Sequence, residues 1–286
     1  MVDFSELRGR YTAIDFGASN TDLFAVVDGR TTMLTQEQRG APTVASVRVL
    51  LADAGVEPAG LGLIAVSGGR HRALPDHIEG TRVVKVGELD AIARGGQALT
   101  TGTVMLPGRD LLVVSAGSGT AMVATRGRRY SHVTGTGVGG GTLIGLSRLL
   151  LNKVAPEAID ALAQTGDPNG ADLALSDVVT GPIGALPSDA TAVNFDRLAR
   201  TSVRPSDADL AAALVTLIAQ VIATLAINAA RAAQVDHITV TGHLTDMVSI
   251  RAAMTRVGEF FGLPLELHAH AGHATVVGAL LYALDR

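Results

Sequence analysis

Asp15-Phe16-Gly17-Ala18-Ser19-Asn20-Thr21-Asp22 brings a carboxylate, a glycine and several small hydrogen-bonding residues into one short stretch. Glycine lets a backbone come close to a phosphate, and successive N–H groups of a tight turn can point at its oxygens. Asp15, at the end of a strand, can hold a hydrated Mg²⁺ beside them. Gly17, Ser19 and Asn20 are the phosphate-facing candidates, and an ordinary hairpin turn is the competing reading. Ala116-Gly117-Ser118-Gly119-Thr120 repeats the grammar further along, making Gly117, Ser118, Gly119 and Thr120 a second candidate set. Two such turns suggest opposed phosphate clamps.

A third motif runs from His132 through Thr134, Gly135, Gly137, Gly139, Gly140 and Gly141 to Thr142. Three consecutive glycines are entropically expensive unless something must approach the backbone closely. A helix starting right after them makes an anion site, since a helix N-terminus favours negative charge.

Elements that must position these loops follow from the pattern of apolar residues. Strands are predicted at Tyr11–Asp15, Asp22–Val27, Thr31–Thr35, Leu63–Val66 and Val83–Val86, with helices at Pro42–Ala54 and Glu88–Leu99. The pattern restarts with strands at Asp110–Ser115, Thr120–Thr125 and Tyr130–Val133 and a helix near Thr142–Leu151. Helices are predicted around Pro156–Gln164 and Ala190–Ala199. Ser206 caps a long helix to about Ala233, with Asp207 and Asp209 in its first turn. His237–Thr241, Thr245–Phe260, Pro264–His268 and Ala274–Leu284 close the chain as strand, helix, strand and helix. Each half is therefore α/β and opens on a hairpin. The boundary is expected between Leu99 and Arg109, giving units 1–104 and 105–286, with helix 274–284 packing back on the first.

At 286 residues, with 47% hydrophobic and 17% charged residues, the chain can bury a large core and is not a disordered polymer. Its net charge of −4 and the lack of a long basic run exclude a nucleic-acid or anionic-membrane surface. The apolar stretch Leu210–Ala230, interrupted by Gln220 and Asn228, reads as a buried helix; a cytoplasmic protein is expected. Without cysteine there is neither disulfide nor thiolate metal chemistry. His268, His270 and His273 sit close enough to suggest a metal, but no acidic residue stands beside them, and a structural or pocket-lining role is preferred.

The paired turns resemble those of the superfamily of actin, the heat-shock ATPases and the sugar kinases: two RNase-H-like lobes of the actin-like ATPase fold around a central nucleotide cleft. Gly135-Thr136-Gly137-Val138-Gly139-Gly140-Gly141-Thr142, running into Gly145-Leu146, is more specific. It is similar to a stretch of the type II pantothenate kinases. So are Gly87-Glu88-Leu89-Asp90, Gly166-Asp167 with Asp172-Leu173, Ala190-Thr191-Ala192-Val193-Asn194-Phe195, and Gly278-Ala279-Leu280. The resemblance spans Ile14 to Leu281. It implies ATP and Mg²⁺ as cofactors, a small-molecule hydroxyl acceptor such as pantothenate, and a place in coenzyme A biosynthesis. A homodimer built on the long helix is expected, with Leu214, Ile218, Val221, Ile222 and Leu225 offered to the partner.

Roles follow from the same resemblance. Glu88 is the implied catalytic base, which suits a carboxylate at the first turn of a helix. Ser118 lies near the acceptor, with Thr134 and Gly135, and Gly242 forms the adenosine-side turn. Two positions depart. Asp22 stands where the family has Lys, and His132 stands where it has the Arg that holds the acceptor or the transferring group. Both changes remove positive charge from a reaction that depends on it. They leave open a kinase or amide-activating ATPase with another substrate, or a weakly catalytic nucleotide-binding regulator.

Overall fold

The computed structural model describes residues 2–38, 40–105, 110–180, 187–268 and 271–286. The chain begins with β1 (Arg10–Phe16), β2 (Asn20–Val27) and β3 (Arg30–Glu37), an antiparallel meander. Next come α1 (Val44–Asp53), β4 (Leu63–Gly68), β5 (His77–Ile78), β6 (Thr81–Lys85) and α2 (Glu88–Thr101). The meander then repeats as β7 (Leu111–Ala116), β8 (Thr120–Arg126) and β9 (Arg129–Thr136). After it lie α3 (Gly140–Leu151), α4 (Pro156–Ala163), β10 (Leu173–Ala174), α5 (Leu175–Val178) and β11 (Thr191–Val193). The chain ends with α6 (Asp207–Ala233), β12 (Ile238–Thr241), α7 (Val248–Phe261), β13 (Leu265–Leu267) and α8 (Ala274–Leu284).

The strands form two large sheets of the same design. The first has the order β3-β2-β1-β4-β6-β5 and the second β13-β12-β7-β8-β9. In each, the first strand of the meander pairs antiparallel with the second and parallel with the strand that follows a helical crossover. Parallel neighbours need helices on both faces, and the burial pattern agrees. Ile14, Leu23, Ile64 and Val66 face Val47, Leu50 and Leu51 of α1, whereas Ala13, Phe24, Val26 and Ala65 face α8. In the second sheet Leu112, Val114 and Ala116 face α6, and Leu111 and Val113 face Ile92 and Ala93 of α2.

So α8 covers the inner face of the first sheet and α2 the inner face of the second, and these helices lie against each other. Glycine permits that crossing. A Cβ on Gly95 would land on the Ala274 carbonyl, and one on Gly278 would land on the Ala91 carbonyl. Beside the crossing, fully buried Arg94 pairs through Nε with Asp285 at 2.8 Å and donates to the Val104 carbonyl. A buried cation of this kind is tolerated because it is paired.

Two expectations are corrected. Ala190–Ala199 is not a helix: β11 is followed by a 3-10 turn at Asp196–Ala199. The buried Asp172 carboxylate accepts from the Phe195 N–H at 2.8 Å, from the Thr191 hydroxyl at 3.1 Å and from Asn194 Nδ2 at 3.3 Å. Those bonds outweigh the helical periodicity. The helix expected from Thr245 opens instead as a 3-10 turn at His243–Asp246, and α7 proper begins at Val248. Here Asp160 of α4 accepts the Val248 and Ser249 N–H groups at 3.0 and 2.9 Å, capping α7 from outside.

α6 is capped by Ser206, whose hydroxyl accepts from the Asp209 N–H at 3.1 Å. It is long and apolar enough to cross a membrane by length and composition, and most of it is buried inside the fold. Leu214, Ile218 and Ile222, expected to face a partner, are fully buried in the chain's own core. Val221 and Leu225 are half-buried and line a shallow groove with Gln220, Thr224 and Asn228.

Candidate nucleotide and active site

Between the two sheets lies a cavity of about 400 Å³. The β1–β2 turn supplies Gly17, Ser19 and Asn20 to its wall, and the β7–β8 turn supplies Gly117, Ser118, Gly119 and Thr120. Asp15 at the end of β1, Glu88 at the start of α2, Gly140 and Gly141 of α3, and Gly242 after β12 line the same space. Residues predicted from three separate motifs thus converge on one cleft.

The glycine run has a different immediate task from the one its composition suggests. Gly140 N–H donates to the Gly117 carbonyl at 2.8 Å and Gly141 N–H to the Ser118 carbonyl at 2.9 Å. Thr120 Oγ1 donates to the Val138 carbonyl at 2.9 Å, and Thr142 Oγ1 to the Gly137 carbonyl at 3.1 Å. The first amides of α3 therefore brace the β7–β8 turn. Gly137, Gly139 and Thr142 belong to this brace, outside the residues that line the cavity. The close backbone approach that three glycines imply is to another loop.

His132, Thr134 and Gly135 lie on β9, an edge strand, and none of them lines the cavity. His132 is exposed. Sequence reading also missed the apolar wall. Ile92, Leu143, Ile144, Pro156, Leu244 and Met247 line the cavity together with its polar turns. Their helical spacing marks them only as core residues.

The charged residues of the cavity are mostly acidic. Asp15, Asp22 and Glu88 face it, and His243 is the sole basic side chain among the described lining residues. Asp15 Oδ1 is buried without a hydrogen-bond partner. Burial pushes the Asp15 carboxyl up to about 7, helped by the negative charges of Asp22 and Glu88 and opposed by His243. An oxygen donor of this kind suits a hard divalent cation.

Asp22, the position where a lysine was expected, is buried and already engaged. Thr35 Oγ1 donates to its Oδ1 at 2.6 Å, and His243 Nε2 lies 3.0 and 3.1 Å from its two oxygens. His243 Nδ1 is 2.9 Å from Asp246 Oδ2. Hydrogen bonds to Asp22 and then to Asp246 push the His243 pKa up to about 10 against the opposing effect of burial. The cation missing from residue 22 is matched by one arriving from the other sheet.

Of the three histidines weighed as metal ligands, His270 lies outside the described residues. His273 Nε2 is 2.9 Å from Thr35 Oγ1, while His268 Nε2 is buried without a hydrogen-bond partner and burial holds its pKa down.

Comparison with known proteins bears on the fold and the family. The Fumble family model matches residues 98–281. A type II pantothenate kinase of Oceanobacillus iheyensis is 30% identical over 219 residues, covering 76% of this chain and 80% of that protein. One from Bacillus cereus (strain G9842) is 26% identical over 226 residues, covering 78% and 82%. Among solved structures, the activator of the 2-hydroxyisocaproyl-CoA dehydratase from Clostridium difficile, with bound ADPNP, superimposes with a TM-score of 0.61 at 15% identity, covering 96% of this chain and 94% of that one. A ROK family glucokinase from Streptomyces griseus, in complex with glucose and AMPPNP, gives 0.57 at 16% identity, covering 95% and 98%. These likenesses establish the two-lobed actin-like ATPase fold. With that fold, the family match and the relatives' identity taken together, the chain belongs to the Fumble family, that of the type II pantothenate kinases.

Proposed function

We propose that the protein transfers the γ-phosphoryl group of ATP to the hydroxyl of pantothenate or a close chemical relative, the step that commits it to coenzyme A biosynthesis. The observation that carries this reading is the convergence of Glu88 with both serine–glycine turns on one cavity. Loose phosphoryl-transfer transition states need positioning and charge stabilisation more than covalent help. The two turns would hold the phosphates of a bound nucleotide between them, and the apolar wall of Leu143, Ile144, Leu244 and Met247 would take the adenine. Glu88, at the mouth of α2, accepts the acceptor's hydroxyl proton as its oxygen attacks the γ-phosphorus and ADP departs.

Asp15 is the residue that would hold Mg²⁺, through its waters, because its buried Oδ1 is otherwise unpartnered. When bound, the ion supplies positive charge that this acidic cavity needs beside a polyphosphate. His132 enters this scheme only if β9 moves toward the acceptor. We further infer a homodimer through the α6 groove lined by Val221 and Leu225, and a cytoplasmic enzyme without a nucleic-acid partner.

The test is a coupled ADP-release assay with pantothenate, pantetheine and simple sugars as acceptors, followed by mass analysis of the product. The expected result is Mg²⁺-dependent ADP release with a phosphorylated pantothenate-type product. Calorimetry showing no saturable heat with millimolar ATP and Mg²⁺ would end the kinase reading.

A further inference from the structure

Asp22 and His243 are far apart in sequence: Asp22 lies on a strand of the first sheet, and His243 opens the 3-10 turn that follows β12 of the second. Asp22 is on β2, two residues beyond Asn20 of the first turn, and His243 directly follows Gly242. Both line the cavity. We propose that they are a positioning pair: an ion pair across the cleft that fixes how far the Gly17–Asn20 turn stands from the Gly242 turn, and so the geometry that the nucleotide meets. This rests on the nucleotide reading of the cleft.

Four observations carry it. First, the imidazole is pinned at both nitrogens by carboxylates, Nε2 by Asp22 and Nδ1 by Asp246. Only the imidazolium has a proton for each, so the contact is between full charges. Second, the anion is built in: the Asp22 side chain is 9% exposed, and Thr35 holds Oδ1 from the neighbouring strand. Third, the ring has a prepared seat. A Cβ on Gly272 would collide with the His243 imidazole, so only glycine leaves room for the ring there. Fourth, the contact is reinforced by a second crossing. His273 Nε2, from the segment before α8, is 2.9 Å from Thr35 Oγ1 and 4.0 Å from Asp22 Oδ1.

Among the described lining residues the other charges, Asp15 and Glu88, are negative; beside the pair stand Asp246 on the His243 ring and His273, the latter 4.0 Å from Asp22 and so farther than His243. Removing Asp22 leaves the imidazolium held only by Asp246 of its own turn, and removing His243 leaves Asp22 with Thr35 and the more distant His273, so the closest tie between the two walls is lost.

Because the chain has no cysteine, cysteines placed at Arg30 and Thr255, exposed on opposite sides of the cleft, can carry spin labels without background. Pulsed dipolar spectroscopy then reads the spacing of the two sheets, with and without ATP·Mg²⁺, alongside calorimetry and steady-state kinetics. In the parent protein a narrow distance distribution is expected. Asp22→Asn and His243→Gln should each broaden it and raise the Kd and KM for ATP about tenfold, with kcat at saturation changed less than about twofold. The exchanged variant, Asp22→His with His243→Asp, should restore the narrow distribution and most of the affinity. Unchanged distances and affinity in the single variants would overturn the proposal, as would an exchanged variant no better than the singles while all remain folded. If the single variants do not fold, Thr35→Val, which removes the hydroxyl that contacts both Asp22 and His273, should still broaden the distribution, and an unchanged one overturns the proposal. A parent protein that binds no ATP would sink the nucleotide reading, whereas the distance measurement judges the pair independently.

Discussion

Ser19 Oγ and Ser118 Oγ are 2.7 Å apart, so the two serine–glycine turns touch at their tips although they belong to separate sheets. Ser19 is exposed and Ser118 half-buried, and phosphate oxygens between the turns would exchange one hydroxyl pair for two hydroxyl–phosphate bonds. Ser118→Ala should therefore leave the unfolding midpoint nearly unchanged and weaken ATP·Mg²⁺ binding about three- to tenfold, the range of a single hydrogen bond. Calorimetry and thermal melts check this. A large drop in the melting temperature with unchanged ATP affinity would make the contact a structural staple instead.

Glu88→Gln should keep nucleotide affinity while lowering turnover by roughly two to four orders of magnitude, as expected for a positioned acid–base group. Single-turnover kinetics with ATP in excess provide the measurement. Turnover equal to the parent's would reduce Glu88 to a favourable charge at the start of α2.

Asp15 sets a pH dependence. Its carboxyl, raised by burial to about 7, is largely neutral in mildly acidic solution and ionised above neutrality. A raised carboxyl favours the ligand-free fold most below the ordinary carboxylate range, and this advantage is lost as pH climbs toward about 7. Metal binding runs the other way, because the ion needs the carboxylate. The apparent affinity for Mg²⁺ in the presence of ATP should rise through neutrality, and Asp15→Asn should abolish the rise. Titrations at several pH values decide it; a flat parent profile removes Asp15 from the metal site.

The α2–α8 crossing gives a stability prediction. Gly278→Ala puts a methyl group onto the Ala91 carbonyl, where only backbone lies opposite. Overpacking of this kind costs about 1–3 kcal/mol, and a rigid backbone contact belongs at the upper end. Chemical denaturation should show that loss, with little change in the slope. A neutral outcome would mean that the helices slide apart freely.

His132→Arg distinguishes an exposed strand residue from an acceptor ligand. From its exposed place on β9, outside the cavity, the expected result is a pH–rate profile and an acceptor ranking equal to the parent's. If the variant flattens the pH dependence or favours acceptors with a carboxylate, then β9 reaches the acceptor during turnover.

Much of the fold is legible because its signals are local. Ala274–Leu284 reads as a helix from its own apolar residues, and Ser206 announces α6 through its cap. The two hairpin turns are legible for the same reason, since small residues between strands leave few alternatives. What fails depends on distant partners. The Ala190–Ala199 stretch looks helical until the Asp172 carboxylate takes its donors, and nothing near residue 172 in sequence reveals that. Asp22 reads as a lost cation because its partner arrives from the far sheet, a relationship that spacing along one chain does not encode. The glycine run signals a close backbone approach, and the structure shows the β7–β8 backbone as its neighbour.

The position of α8 also bears on how the protein is made. Its Val276, Val277, Leu280 and Leu281 fill the inner face of a sheet whose strands β1, β2 and β4 leave the ribosome long before it. Chains fold as they emerge, and an uncovered apolar sheet face is an aggregation hazard. During synthesis Ala13, Phe24 and Ala65 must therefore wait for the last helix, sheltered by a chaperone or by loose collapse. A stalled or truncated chain that lacks α8 should be a substrate for quality control, however complete its other sheet.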